Sequence, residues 1–263
     1  MHFTKMHGLG NDYLYYYGEL DHPEAWSRRL SDRHFGIGSD GIVMISPSDV
    51  ADFKMRIFNA DGSEAMMCGN GIRCVGKYVF DKGYTDKKKL TVETLSGNKL
   101  LSLQTRGGKV TEVTVNMGKC VVDHPTTLET SYGKVTVTPV SMGNPHAVSF
   151  VDAVENAPLT TVGRELEHHP YFKSGVNTEF VQVIDRHSIT MRVWERGSGI
   201  TMACGTGACA AAAASIRAGL CDEETEMTVH LDGGDLKVQV LADHTVLMTG
   251  PAKTICECEV EDS

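Results

Sequence analysis

The stretch Lys54–Gly71, KMRIFNADGSEAMMCGNG, returns 136 positions later as Thr190–Gly207, TMRVWERGSGITMACGTG. Six positions are identical: Met55 with Met191, Arg56 with Arg192, Met66 with Met202, Cys68 with Cys204, Gly69 with Gly205 and Gly71 with Gly207. Downstream, a helical pattern leads to Thr91-Val92 in one copy and Thr228-Val229 in the other; upstream, Gly10-Asn11 and Gly143-Asn144 each precede an alternating segment. Two copies are too few for a solenoid, which needs three or more repeats to bury its faces. The repeat therefore predicts two similar domains. Such domains, facing each other across a cleft, would present equivalent residues from opposite sides, and clefts between domains favour small ligands. A duplication kept only for folding is the alternative.

Stretches of period two, rich in Val, Ile, Thr and Tyr, predict strands near 2–6, 12–17, 41–46, 52–59, 89–95, 98–105, 109–117, 133–140, 146–152, 178–185, 187–195, 225–231, 235–242 and 244–249. Helical patterns fall near 22–34, 69–82, 160–168 and 205–218, the first introduced by Asp21-His22-Pro23. Many short strands with two helices per half make an α+β domain repeated once. In each copy a strand runs into a turn cluster, Asn59-Ala60-Asp61-Gly62-Ser63 or Glu195-Arg196-Gly197-Ser198-Gly199, and then into a helix opening on Cys-Gly-x-Gly. Cys68 and Cys204 thus stand at helix amino termini. There the free N–H groups and the positive end of the dipole form an anion site that glycines leave open to a ligand.

A thiol in that position has its anion stabilised, which can bring its pKa from about 8.5 toward neutrality. One thiolate could then remove a proton from an α-carbon while the second thiol protonates the opposite face, inverting the centre. Charge developing on the substrate carboxylate needs preorganised donors. Two helix amino termini could supply them without pyridoxal phosphate or metal. The spacings Cys68-x5-Cys74, Cys204-x4-Cys209 and Cys256-x-Cys258 do not match structural zinc sites. Neither CGNG nor CGTG is a dinucleotide fingerprint, and no phosphate-loop pattern occurs. The expectation is a protein with neither cofactor nor metal. Cys74, Cys120, Cys209 and Cys221 read as core thiols.

A net charge of −9, from 25 Lys and Arg against 34 Asp and Glu, with basic residues single or in short runs such as Lys87–Lys89, excludes a nucleic-acid surface. Met1–Gly10 has no apolar core of signal-peptide length, and the longest apolar run, Ala208–Ala214, is too short to cross a bilayer. A cytoplasmic protein with reduced thiols is expected, with no membrane partner.

These motifs resemble those of the diaminopimelate epimerases over nearly the whole chain. Phe3-Thr4-Lys5-Met6-His7-Gly8-Leu9-Gly10-Asn11-Asp12 is similar to the family's opening signature. Phe58–Glu64 with Cys68–Cys74 is similar to its first cysteine motif, and Gly143–His146, Val176-Asn177, Glu195–Gly197 and Ala203–Cys209 complete the pattern. The resemblance implies two pseudo-symmetric domains, each a mostly antiparallel sheet wrapped around a central helix, with the active site in the cleft between them. The domains would be 1–117 and 118–250, a last strand at about 251–263 returning to the first. It implies epimerisation between LL- and meso-2,6-diaminopimelate, on the route to lysine and peptidoglycan, with Cys68 and Cys204 as the acid/base pair and His146 and Glu195 tuning them. Asn11, Asn59, Asn144, Asn177, Glu195 and Arg196 would hold the distal groups of the substrate, and Gly69, Asn70, Gly205 and Thr206 its reacting carboxylate. A homodimer is implied as well.

Two positions depart from the family pattern. Gly41 stands where some members carry glutamine, removing a side-chain contact to substrate, and Ile200 replaces a common polar residue. Two other readings stay open. A proline or hydroxyproline racemase shares the paired-cysteine logic, although such relatives usually carry histidine beside the first Cys-Gly, where this chain has Asn70. A thiol redox sensor would use Cys68 and Cys204 as a switchable disulfide, which must form at cellular reducing poise.

Overall fold

The computed structural model describes residues 1–261. Residues 262 and 263, at the end of the expected returning strand, lie outside the described residues. The chain divides into two compact units, Met1–Val115 with the chain from Gly250 onward, and Asn116–Thr249.

From the amino end the chain forms β1 (His2–Gly8), β2 (Asn11–Tyr17), α1 (Pro23–Ser31), β3 (Gly41–Ser46), β4 (Phe53–Asn59), the short β5 (Glu64–Ala65), α2 (Gly69–Asp81), β6 (Lys89–Glu93), β7 (Lys99–Arg106) and β8 (Lys109–Lys119). It continues as β9 (Val121–Val122), β10 (Thr126–Thr130), β11 (Gly133–Ser141) and β12 (Pro145–Phe150). A 3-10 turn at Val154–Asn156 and a π-helical turn at Leu159–Gly163 then lead into α3 (Arg164–Glu167). After these come β13 (Asn177–Asp185), β14 (Ser188–Glu195), the short β15 (Gly199–Ile200), α4 (Gly205–Arg217), β16 (Met227–Leu231), β17 (Gly234–Val240) and β18 (Thr245–Pro251). Finally β19 (Lys253–Glu259) runs antiparallel to β1 and closes the first unit.

The sequence repeat is a topological repeat. In the first unit β1–β2 is antiparallel, β2–β3 parallel, β3–β4 and β4–β5 antiparallel, β4–β6 parallel, and β6–β7–β8 antiparallel. In the second unit β11–β12, β12–β13, β13–β14, β14–β15, β14–β16 and β16–β17–β18 follow the same succession of directions. Each unit is therefore a mostly antiparallel sheet with two parallel pairs. Parallel neighbours need a long crossover, usually helical. That crossover is α1 or α2 in the first unit, and the turns with α3, or α4, in the second. The fold is sheet-dominated α+β.

The second crossover helix of each unit is its central helix. On α2, Ile72, Cys74, Val75 and Val79 are buried. On α4, Ala208 and Ala210 to Ala214 are buried all round, so side chains of one carbon let strands approach from every side. Arg73, also fully buried, donates from Nε to the Pro251 carbonyl (3.2 Å) and from a terminal nitrogen to Gly69 O (3.1 Å). It ties the first turn of α2 to the returning end of the chain.

Local corrections have local causes. The helix expected at 22–34 stops at Ser31, because the Asp32 carboxylate accepts from the N–H groups of His34 and Phe35 (2.7 Å each) and caps a turn instead. The helix expected at 160–168 opens as a π-helical turn and is α-helical only over Arg164–Glu167. Strand β10 is absent from the sequence-based expectation, since only Leu128 of Thr126–Thr130 is buried; its pairing with β11 creates it.

Candidate active site

Both cysteines cap a central helix through sulfur. Cys68 has extended backbone (φ −137°, ψ 117°) ahead of α2, and its Sγ accepts the N–H of Gly71 at 3.3 Å. Cys204 (φ −113°, ψ 110°) stands likewise ahead of α4, with Sγ accepting from Gly207 N at 3.3 Å. The sulfur takes the place that a Ser or Asp oxygen fills at an ordinary N-cap.

Around Cys68 the first unit builds a polar relay. The thiol donates to Asn11 Oδ1 (3.2 Å), and Asn11 Nδ2 donates to Asp40 Oδ2 (2.8 Å). Asp40 also accepts the Asp12 N–H and, with Asp12, the Arg33 guanidinium (3.1 Å to each). The amide of Asn11 is thus held with its oxygen toward sulfur. Tyr13 lies buried beside this relay, its phenol pushed well above the ordinary value by burial and by the charge of Cys68. Gly69 and Asn70 form the first turn of α2 and are buried. Asn59 sits at the end of β4, where Nδ2 donates to Ser63 Oγ (3.1 Å) and closes the turn before β5.

In the second unit the sequence-derived residues converge. Asn144 Nδ2 donates to Thr206 Oγ1 (3.4 Å), whose hydroxyl lies 3.6 Å from Cys204 Sγ. His146 and Asn177 are direct partners in the parallel β12–β13 register. Asn177 Oδ1 accepts the Arg196 N–H (2.8 Å), and the Arg196 guanidinium reaches Ser174 O (2.7 Å). Glu195 accepts from Thr201 Oγ1 and is hydrogen-bonded to Cys204.

The helix amino terminus does not decide the state of Cys204. Burial, reinforced by the charges of Glu195 and Glu179, pushes its thiol well above the ordinary value, outweighing the bonds from Thr206 and Gly207 N–H that favour the anion. This overturns, for Cys204, the lowering expected from helix position alone. Burial also raises the carboxyls of Glu195 and Glu179, against opposing bonds from Thr201 and Cys204 in one case and the charge of His146 in the other.

Four supporting residues escaped sequence reading: Asp40, Glu167, Glu179 and Arg73. Glu179 left one signal, an acidic residue inside the otherwise strand-like Asn177–Val181 run. Glu167 left none; its carboxylate accepts from the Trp194 indole N–H (2.6 Å) and Gly197 N (2.7 Å), bracing the turn after Glu195. Cys74, Cys120, Cys209 and Cys221 are buried, as their core reading requires. Among the described residues no group of three or more His, Cys, Asp or Glu could hold a metal ion, and no helix is long and apolar enough to cross a membrane.

Solved structures share this architecture. A PhzF-family phenazine biosynthesis protein from Bacillus anthracis matches with a TM-score of 0.79 at 17% identity, over 100% of this chain and 99% of that one. A probable proline racemase from Agrobacterium radiobacter matches with a TM-score of 0.77 at 17% identity, over 99% and 92%. At that identity they speak for the fold alone. The sequence relatives are much nearer. A diaminopimelate epimerase from Acetivibrio thermocellus is 51% identical over 99% of both chains. One from Methanococcus maripaludis is 49% identical over 99% of this chain and 100% of its own length. The model of the diaminopimelate epimerase family, a family of isomerases, matches residues 3–122 and 138–255, and with both halves of the repeat covered the chain belongs to that family.

Proposed function

We propose that the protein interconverts LL- and meso-2,6-diaminopimelate by a two-base mechanism that uses no cofactor. The observation that carries this reading is the equivalence of Cys68 and Cys204: each is the N-cap of its unit's central helix, with sulfur on the N–H of the third helical residue. One sulfur, as thiolate, takes the α-proton; the electron pair left on carbon spreads into the α-carboxylate; the other sulfur gives its proton to the opposite face. The two sulfurs exchange protonation states in each turnover, and no other atom is gained or lost. The reading requires one sulfur on each face of the α-carbon. The raised proton affinity of Cys204 suits it to rest as the donor.

The N–H groups that open the two central helices, at Gly69-Asn70 and Gly205-Thr206, would receive the carboxylate as its charge grows. Asn11, Asn59, Asn144, Asn177, Glu195 and Arg196 would hold the distal amino and carboxylate groups, and His146 and Glu195 would tune Cys204. We assign the enzyme to the cytoplasm, in the supply of lysine and peptidoglycan precursors, as a homodimer.

The test is α-proton exchange in deuterated buffer with reductant and no added cofactor, comparing LL-diaminopimelate with L-proline. Wild type should label and invert diaminopimelate only, and Cys68→Ala and Cys204→Ala should each lose about 10²- to 10⁴-fold in inversion. Exchange on proline instead would transfer the assignment to the racemases. No exchange on either substrate, with a disulfide joining the two cysteines, would favour the redox reading.

A further inference from the structure

Glu179 is the third residue of β13, a strand paired on both sides, in a run from Asn177 to Val181 that is buried throughout. Its side chain and that of His146 have no solvent exposure, and Glu179 Oε1 lies 2.7 Å from His146 Nδ1. A carboxyl group in such surroundings needs compensation for its lost hydration. The imidazole supplies it from one side. On the other side is the first turn of α4: a Cβ built on Gly207 would stand 2.7 Å from Glu179 Oε1 and 3.1 Å from Cys204 Sγ. The carboxyl group and the sulfur therefore press on the same point, and only a glycine leaves room for both.

The far side of the imidazole is different. His146 Nε2 is buried and has no hydrogen-bond partner among the described residues. Glu195 from β14 feels both the charge of His146 and a bond from Cys204, and Cys204 in turn feels the charges of Glu195 and Glu179 and the bonds of Thr206 and Gly207 at the start of α4. A carboxylate that sits on one nitrogen of a fully buried imidazole, and is itself wedged against the glycine whose N–H caps the Cys204 sulfur, is an orienting arrangement.

We propose that Glu179 is a positioning residue of the epimerisation: by accepting the Nδ1–H of His146 it fixes the ring and its tautomer beside the groups that surround Cys204. This rests on Cys204 being one of the two acid/base thiols. When Cys204 Sγ–H breaks and the α-carbon C–H forms, negative charge appears on buried sulfur beside two carboxyl groups. A ring held in one orientation keeps the surroundings of that sulfur preorganised while its charge appears, and no proton passes through His146.

The experiment has two arms. In the first, ring 1H–15N correlations of histidine-labelled wild type should show the His146 ring carrying its proton at Nδ1. A ring protonated at Nε2 with bare Nδ1 would overturn the proposal, and needs no variant that folds. In the second, Glu179→Gln should lose about tenfold or more in kcat with KM within about threefold of wild type, and Glu179→Asp should recover part of the loss. A folded Glu179→Gln with kcat within about twofold of wild type and an unchanged ring signature would also overturn it. If wild type holds the Nδ1–H ring yet neither inverts nor labels diaminopimelate, the epimerase reading is what fails.

Discussion

Two glycines at equivalent positions of the repeat, Gly71 and Gly207, have unequal surroundings. At Gly71 the nearest atoms to an added Cβ are those of Cys68, at 3.4 and 3.6 Å, an ordinary contact. Gly71→Ala is therefore expected to leave stability unchanged or raise it by about 0.5–1 kcal/mol, the gain of alanine over glycine in a helix. At Gly207 the same methyl would meet Glu179 Oε1 and Cys204 Sγ. Gly207→Ala is expected to cost about 1–3 kcal/mol, the scale of overpacking a tight interior, and to lower kcat. Denaturant titrations of the two variants decide this; equal behaviour would refute the asymmetry. The glycines are plain in the sequence, but the carboxylate that separates them comes from another strand and is not. Gly41 is similar. Its backbone lies at φ +154°, and a Cβ would fall 2.1 Å from the Phe58 carbonyl, so the glutamine found in some family members has no room here without moving β4.

At the scale of elements, the turn from β14 to β15 carries Glu195 and Arg196, and its shape is imposed by α3. The Glu167 carboxylate lies below its ordinary value despite burial, because the Trp194 indole and the Gly197 N–H both donate to it. Replacing it with Gln turns one acceptor into a donor facing a donor. Glu167→Gln is expected to destabilise the fold by about 1–3 kcal/mol, the range for losing charge-assisted bonds, and to raise KM for diaminopimelate more than it lowers kcat. A KM that stays at the wild-type value would show that the turn holds its shape without this brace. Strands with strong period-two patterns, such as β8 and β17, were legible in the sequence, as were the two central helices. Strand β10 was not, because a polar hairpin arm gains its order from its partner β11 rather than from its own alternation.

For the whole molecule, buried thiols make stability depend on alkaline pH. Burial raises Cys74 to about 11 and Cys204 well above the ordinary thiol value. These groups are neutral when protonated, so the folded chain keeps protons that the unfolded chain releases. Their contribution is fully present below the unfolded thiol pKa of about 8.5 and declines as pH rises toward the folded values. Between those limits each such thiol should remove about 1.4 kcal/mol per pH unit. Denaturation midpoints under reductant should be level from pH 7 to 8 and fall from pH 9 to 10, and the fall should lessen in Cys74→Ala. A midpoint that does not fall would mean that the thiols are solvated.

The sequence by itself determined the duplicated unit, the α+β class, the strand–turn–helix passage that sets a cysteine at each central helix, and the family. All of these are written in periodicity, turn chemistry and short motifs, whose physics acts between residues close along the chain. The tertiary structure alone decided the proton affinity of Cys204, the place of Glu179 beneath Gly207, and the relay from Asp40 through Asn11 to Cys68. The reason is solvation and charge. The cost of ionising a sulfur depends on which groups exclude water from it and which charges stand within a few ångströms. For Cys204 the charges come from β13 and β14, which only folding brings to the start of α4.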